Sequence, residues 1–498
     1  MGLFMKKNGP CPEKVPTDTV VPVSFTDDQP HARALCIHLT SRFDDVLDTE
    51  ALRRALNRLF QIKGWRKLGA RLRLNDGGKL EYHIPAHYDE KRPGFDYTVA
   101  QHALGINDHH LGAQFPKATV QPALVGCPED IAPVCLGPDC PKQIEDWLYS
   151  DRPQLAIHVA SFDNATLLTI TFLHTLTDAM GIATFLKAWT AVLDGREVDV
   201  PIFQGIDEAP MEQLSERTPA EQYINYNLML KPLGLIIFAF WYILDLLWNW
   251  REEFRLLCIP GHIIDELRTQ ALHELNEQNS QDPPTFLSES DSLLAWWTRA
   301  LVKGINPSPD RPITLMNVMD IRATALDDPT SLKTALVANA VIPSTTFLRA
   351  HQILHQPLSF VASHIRRSLV QLRTKPQIEA FLCASRAHAA KTGHPPLFSE
   401  SSALLIACTN WHRGRFFEAD FSAAVVKTGV PLAERVNGLG RPSFVIPNGH
   451  TNGISMRNGG SIIGKDAEGN WWLAWTLKRQ AWLVIDEELR VLGGKKGQ

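Results

Sequence analysis

His174 and Asp178 stand four residues apart in the stretch Thr171-Phe172-Leu173-His174-Thr175-Leu176-Thr177-Asp178-Ala179-Met180-Gly181. His174 has the parity of Leu168, Ile170 and Phe172, so it ends the apolar face of a β-rich run instead of pointing into bulk water. An imidazole held there, partly desolvated and with a pKa near neutrality, is suited to taking a proton from a hydroxyl. A lone histidine in an apolar strand is more often a satisfied core residue, and its company is what changes that balance. Asp178 falls just before a helix start, and Gly181 allows close backbone approach. Such a carboxylate serves as a base-orienting partner, an N-cap or one half of a buried ion pair. The zinc pattern H-E-x-x-H is excluded, because the glutamate and second histidine are missing. No G-x-S-x-G elbow and no Walker-type loop occurs, so a serine hydrolase or an NTPase has no support.

The surrounding pattern predicts the elements that must hold these residues. The run from Ala165 to Leu173 reads as a strand. From Ala179, Ile182, Phe185, Leu186, Trp189 and Leu193 recur at helical spacing until Gly195, so a strand, a tight connection and a helix follow one another. Upstream, Asp48 caps a helix with Leu52, Ala55, Leu56, Leu59 and Phe60 on one face, and residues 70–74 and 80–84 alternate around Asn75-Asp76-Gly77-Gly78 as a hairpin. Downstream come a helix around Leu293 to Val302, a strand around Ile313 to Ile321, a strand entering Thr409-Asn410-Trp411, and a Gly-rich turn feeding Ser461 to Trp475. Mixed strands and helices on both sides of a long crossover predict two α/β domains with their boundary within Glu216 to Pro260. The divisions expected are 1–215, a crossover 216–260 and 261–498. Within the crossover, Leu235 to Leu244 is unbroken apolar, but Lys231, Pro232, Gly234, Asp245 and Asn249 leave it shorter than the ~20 clean residues of a spanning helix. A helix packed on the protein or resting on a membrane surface is the expectation for 235–248.

Composition narrows the class of function. The chain has 498 residues, 44% of them apolar, too many for one compact core. Lysine plus arginine total 50 against 54 acids, a net charge of −4 without long blocks of either sign, which argues against nucleic acid as partner. The eight cysteines show no paired C-x-x-C spacing, so no metal site is expected and the thiols read as mostly free in a reducing, cytoplasmic compartment. Met1 to Lys7 carries no secretory or lipid address, and Gly494 to Gln498 resembles no retention signal.

His174-x-x-x-Asp178-x-x-Gly181 followed by Phe185 and Trp189 resembles the HxxxD signature of the BAHD acyltransferases, in particular their fungal secondary-metabolite branch. Leu287-Ser288-Glu289-Ser290-Asp291-Ser292-Leu293 to Trp296 is similar to the family's L-S-x-x-D-x-L-x-A-x-W helix start. Asn317 to Arg322 resembles its V-D-x-R strand, Asn339 its G-N pair, Thr409-Asn410-Trp411 its T-S-W element, and Glu418 to Phe421 the start of D-F-G-W-G. The chain departs at Ser422-Ala423-Ala424 and at Ala338, and Leu173 replaces the first histidine of the condensation-domain motif. The resemblance implies an α/β fold of two chloramphenicol-acetyltransferase-like domains, with His174 as general base midway along a channel between them. It implies acyl-CoA, with acetyl-CoA the expected donor, as co-substrate, no permanently bound cofactor, an alcohol acceptor and a monomer. By the same resemblance Thr409 and Trp411 serve the oxyanion and the acceptor, Gly181, Ser288, Asn339 and Asp420 line the acyl-CoA channel, and Asp178 is structural with Arg322 as its partner. An N-acyltransferase, or a binding protein that keeps the fold without turnover, are the alternatives.

Overall fold

The computed structural model describes residues 11–248, 251–278, 286–325, 333–453 and 455–494; Met1 to Lys7, Asn249 and the last four residues, on which some expectations rested, lie outside them. Two mixed sheets organise the molecule. The smaller runs in the order Phe444–Thr451, Leu35–Phe43, Thr166–Leu173, Ala156–Ser161, Asp96–Gln101, and only its last pair is parallel. The larger runs Val341–Arg349, Pro312–Asp320, Leu404–Asn410, Gly459–Lys465, Trp471–Lys478, Glu252–Ile259, Ala123–Gly126, with Leu404–Asn410 parallel to both neighbours. Each sheet takes an edge strand from the other half of the chain: Ala123–Gly126 pairs with Glu252–Ile259, and Phe444–Thr451 with Leu35–Phe43.

Local chemistry explains the elements nearest the candidate residues. Asp48 caps Thr49–Leu59 by accepting from the N–H groups of Glu50 and Ala51, each at 2.9 Å. The helix buries Leu52, Leu56 and Leu59 against Ala179–Leu193, where the Trp189 indole donates to the Leu52 carbonyl at 3.1 Å. Both helices cover the smaller sheet. Around the larger sheet lie Gly261–Gln278, Glu289–Ile305, Leu358–Leu372 and Arg479–Gly494. Trp297, Trp475 and Trp482 fill the space between, with the first two ring centroids 5.2 Å apart.

The expected hairpin is Arg71–Leu74 with Leu80–Ile84. Its arginines are unexpectedly buried: Arg71 donates to the carbonyls of Gly69 and Pro93, and Arg73 to that of Ser150 and to the Asp151 carboxylate. The apolar crossover run forms the helix Pro232–Trp248. Among the described residues no helix is long and apolar enough to cross a membrane. All eight cysteines are unbridged.

Candidate active site

The strand Thr166–Leu173 delivers His174 to the edge of the smaller sheet, where its N–H still pairs with the Leu35 carbonyl at 2.9 Å. The next residues form a turn that is braced from several sides. Asn339 Nδ2 donates to the His174 carbonyl at 2.8 Å, Tyr82 Oη to the Thr175 carbonyl at 2.9 Å, and Thr177 Oγ1 to the Val337 carbonyl. Asp178 then caps Ala179–Leu193, its Oδ1 accepting from Met180 and Gly181 N–H at 2.9 and 3.0 Å. The same carboxylate receives Arg322 Nη2 at 2.9 and 3.1 Å and the Ala340 N–H at 2.8 Å. Arg322 reaches it from the end of the strand Pro312–Asp320, with Nη1 on Asp320 at 2.8 Å. Asp178 is therefore saturated with donors on its own helix and across the junction between the two sheets. The structure brings His174, Asp178, Arg322 and Asn339 into one cluster.

Gly181 belongs to that cluster for a steric reason. A Cβ there would stand 2.2 Å from the Val337 carbonyl oxygen and 2.0 Å from Thr177 Oγ1, so any side chain would lever the 333–340 segment off the turn.

The imidazole of His174 is half-buried, and its Nδ1 has no hydrogen-bond partner among the described residues. Burial pulls its pKa below the ordinary histidine value, against weaker opposing pulls from its own backbone and then Asp178, so the ring is neutral and able to accept a proton. The ring of His31 faces it edge-on at 6.3 Å between centroids. His31 is exposed to solvent on one side, and burial of its other side followed by the neighbouring His174 pushes its pKa down to about 4.

Asp27, on the same N-terminal loop, accepts from both the N–H and the Nδ2 of Asn339, at 2.9 and 2.7 Å. Its burial raises its pKa to about 7 in spite of those two donors. Sequence reasoning missed both Asp27 and His31. They lie in a loop and a five-residue helix, Pro30–Ala34, whose pattern carries no period, and the only signal was a histidine and acids placed just before the first strand of the smaller sheet.

The remaining candidates fall elsewhere. Thr409 ends the strand Leu404–Asn410, and Trp411 begins a turn, His412–Gly414, that touches the helix Ala179–Leu193. The Trp411 indole N–H donates to Thr409 Oγ1 at 3.1 Å, so among these two side chains the Thr409 hydroxyl proton is the donor left for another oxygen. Ser288 caps Glu289–Ile305 in a reciprocal pair with Asp291, which is also bound by Arg366. Asp420 accepts from the Ser422 N–H at 3.0 Å and lies 3.5 Å from Arg441. Among the described residues neither Ser288 nor Asp420 is hydrogen-bonded to the His174 cluster. Among the described residues no group of three or more His, Cys, Asp or Glu side chains could hold a metal ion. A separate cavity of about 670 Å³ is lined by Asp96, Thr98, Cys140, Arg152, His158 and Thr171. The strand register sets His158 and Thr171 on the sheet face away from His174.

Comparison with known proteins follows the same lines. A family model described as the Transferase family matches residues 140–453. Acetyltransferase adrJ of Penicillium rubens is 42% identical over 496 residues, covering 99% of this chain and 100% of adrJ. O-acyltransferase pboC of Aspergillus ustus is 40% identical over 463 residues, covering 92% and 97%. A relative from Penicillium decumbens, 37% identical over 490 residues and covering 98% and 99%, carries the name transcriptional regulator calD. Among solved structures, F. sporotrichioides TRI101 complexed with coenzyme A and T-2 superposes with a TM-score of 0.64 at 15% identity, over 95% of this chain and 98% of that one. That likeness shows a shared fold, the two-domain chloramphenicol-acetyltransferase type.

Proposed function

Since the chain belongs to the Transferase family, in its HxxxD-motif BAHD acyltransferase branch, we propose that it acetylates a hydroxyl group of a secondary metabolite with acetyl-CoA as donor and His174 as base. The protein is an acyltransferase. The observation that carries the assignment of the base is the neutral, half-buried imidazole of His174 on a turn braced by Asn339, Tyr82 and the Asp178–Arg322 pair. In the reaction His174 takes the proton of the acceptor O–H while that oxygen attacks the thioester carbonyl carbon. The tetrahedral oxyanion collapses, the carbon–sulfur bond breaks, and the CoA thiolate leaves with the proton held by the imidazolium. A base of this kind contributes ~10²–10⁴-fold.

The Thr409 hydroxyl, polarised by the Trp411 indole, donates to the oxyanion, and a donor aimed at developing charge contributes a comparable factor. His31, neutral and facing His174 at 6.3 Å, holds the acceptor hydroxyl in front of the base. Asp178 and Arg322 are structural, and Asn339 works through the His174 carbonyl. Gly181, by keeping Val337 close, and the Ser288 and Asp420 loops shape the acyl-CoA channel.

The protein works as a monomer in the cytoplasm, with 1–215 and 261–498 as its two domains, 216–260 as the crossover, and one strand exchanged each way. Incubating the purified protein with acetyl-CoA and panels of hydroxylated and aminated scaffolds, and following CoA release, tests this reading. Turnover with alcohols is the result expected. Turnover with amines alone would make it an N-acyltransferase, and binding without CoA release would align it with the reading that the name of calD favours.

A further inference from the structure

A surface helix of a soluble protein turns its apolar stripe inward and its polar face to water. Pro232–Trp248 does the reverse. Leu233, Ile236, Phe240, Ile243, Leu247 and Trp248, spaced as one stripe, are 52–89% exposed, and no residue of the helix is buried. Its polar side chains are the ones turned toward the protein. Tyr242 Oη donates to the Ser455 carbonyl at 3.2 Å, and the Asp245 carboxylate pairs at 2.8 Å with Arg457, whose side chain is 1% exposed. The Arg311 guanidinium stands over the Trp241 ring at 5.0 Å. These contacts pin the helix by one side and leave an outer face without a polar side chain. Single exposed apolar residues are ordinary, whereas a continuous stripe of this kind marks an interaction surface.

We propose that the outer face of Pro232–Trp248 lies flat in the interfacial layer of a lipid membrane. Seventeen residues rise only ~25 Å, short of the ~30 Å hydrocarbon core, and the inner face is held by the protein, so the helix rests in one leaflet and does not span. Charge complements this occupant. The one acid of the helix is turned inward against Arg457, and the exposed cation Lys231 stands at the N-terminal end of the apolar stripe, which suits headgroup phosphates around acyl chains. A second copy fits less well. Two such helices packed in parallel about a two-fold axis bring Lys231 against Lys231, so like charges meet at that end.

The placement keeps the chemistry in water. The strand Pro312–Asp320 starts at Arg311 beside the helix and ends next to Arg322 and Asp178, and at ~3.3 Å per residue it separates the two by roughly 25–30 Å. Leu404–Asn410 runs parallel to it, from the Ser401 side chain that abuts Gly234 toward Thr409. Membrane docking and acyl transfer therefore occupy opposite ends of one sheet.

The test is co-sedimentation of the full chain with phosphatidylcholine vesicles, with and without phosphatidylserine, beside the variant Ile236→Glu/Phe240→Glu/Leu247→Glu and, as a control of the active site, His174→Ala. The wild type and His174→Ala should bind alike, and the triple variant should bind at least tenfold more weakly with unchanged thermal unfolding. Quenching of tryptophan emission by brominated lipid should be lost with it. Wild-type protein that stays in the supernatant with both vesicle types overturns the proposal, as does a triple variant that binds equally well. A dimer in sedimentation velocity that the triple variant dissolves, without vesicle binding by the wild type, would give the face to self-association instead.

Discussion

Two aspartate–arginine pairs do opposite jobs in this molecule. Asp178 and Arg322 meet at 2.9 Å with side chains 4% and 14% exposed, and the carboxylate also collects the N–H groups of Met180, Gly181 and Ala340. Asp245 and Arg457 meet at 2.8 Å, but Asp245 is 34% exposed and Arg457 turns its other Nη to Glu252 at 2.9 Å. The first pair joins a helix cap on one sheet to a strand end on the other and fixes the turn that presents His174. The second removes the one charge from an otherwise apolar helix and leaves its outer face uniform. The difference lies in the carboxylates: several donors in a closed site make Asp178 a fixture, while Asp245, a third exposed to water, only has its charge offset.

The largest effect therefore belongs to the first pair. Asp178→Asn takes the more buried of its two carboxylate partners from Arg322, leaving only Asp320, and should cost ~3–5 kcal/mol of folding free energy, with activity falling in parallel. Arg322→Ala should reproduce the defect, and the double variant should be no worse than the sum of its parts, as read by denaturant unfolding and CoA release. Asp245→Asn, by contrast, should cost about 1 kcal/mol and leave turnover unchanged. Equal losses at the two sites would erase the distinction.

A smaller effect is expected across the channel. His31→Ala should raise the acceptor KM by up to ~10-fold with a lesser change in kcat, since one hydrogen bond contributes ~0.5–1.5 kcal/mol, and His31→Gln should restore part of it. An equal loss of kcat with unchanged KM would remove His31 from acceptor positioning.

The last effect concerns pH. Asp27 titrates near 4 in the unfolded chain and at about 7 in the folded one. Over that interval the unfolded state has lost a proton that the folded state keeps, so this group's contribution to stability is full at low pH and declines as pH rises toward about 7. Asp27→Asn keeps an oxygen for Asn339 and should flatten that decline, compared by chemical denaturation at the two ends of the interval. An unchanged slope would contradict the buried, protonated carboxyl.

What was legible in the sequence was what local rules encode. The Asp48 cap and the strand that runs to His174 follow from residues within a turn of one another and appear as read, and for Asp178 two of the roles left open, N-cap and buried ion pair, are both filled. Gly181 was legible as a close approach, though the Val337 carbonyl that demands it was not. Contacts between distant segments stayed hidden. Nothing near Phe444 announces that it pairs with Arg42, and nothing near Asp27 announces Asn339. The resemblance implied that Thr409 and Trp411 serve the oxyanion and the acceptor, but that the indole N–H donates to Thr409 Oγ1 two residues away was not legible. The outward stripe of Pro232–Trp248 was equally beyond a periodicity argument, because a run apolar on all sides gives no inner face to choose.

The central claim is that His174 is the proton acceptor in acyl transfer, and the direct measurement is CoA release by His174→Ala with acetyl-CoA and an acceptor that the wild type acetylates. The variant should unfold at the wild-type temperature and lose at least ~100-fold in kcat/KM, while the acidic limb of the wild-type pH profile should fall below the ordinary histidine value of ~6.5. A folded His174→Ala protein that retains more than about a tenth of wild-type turnover would contradict the account, given the ~10²-fold minimum expected of a general base.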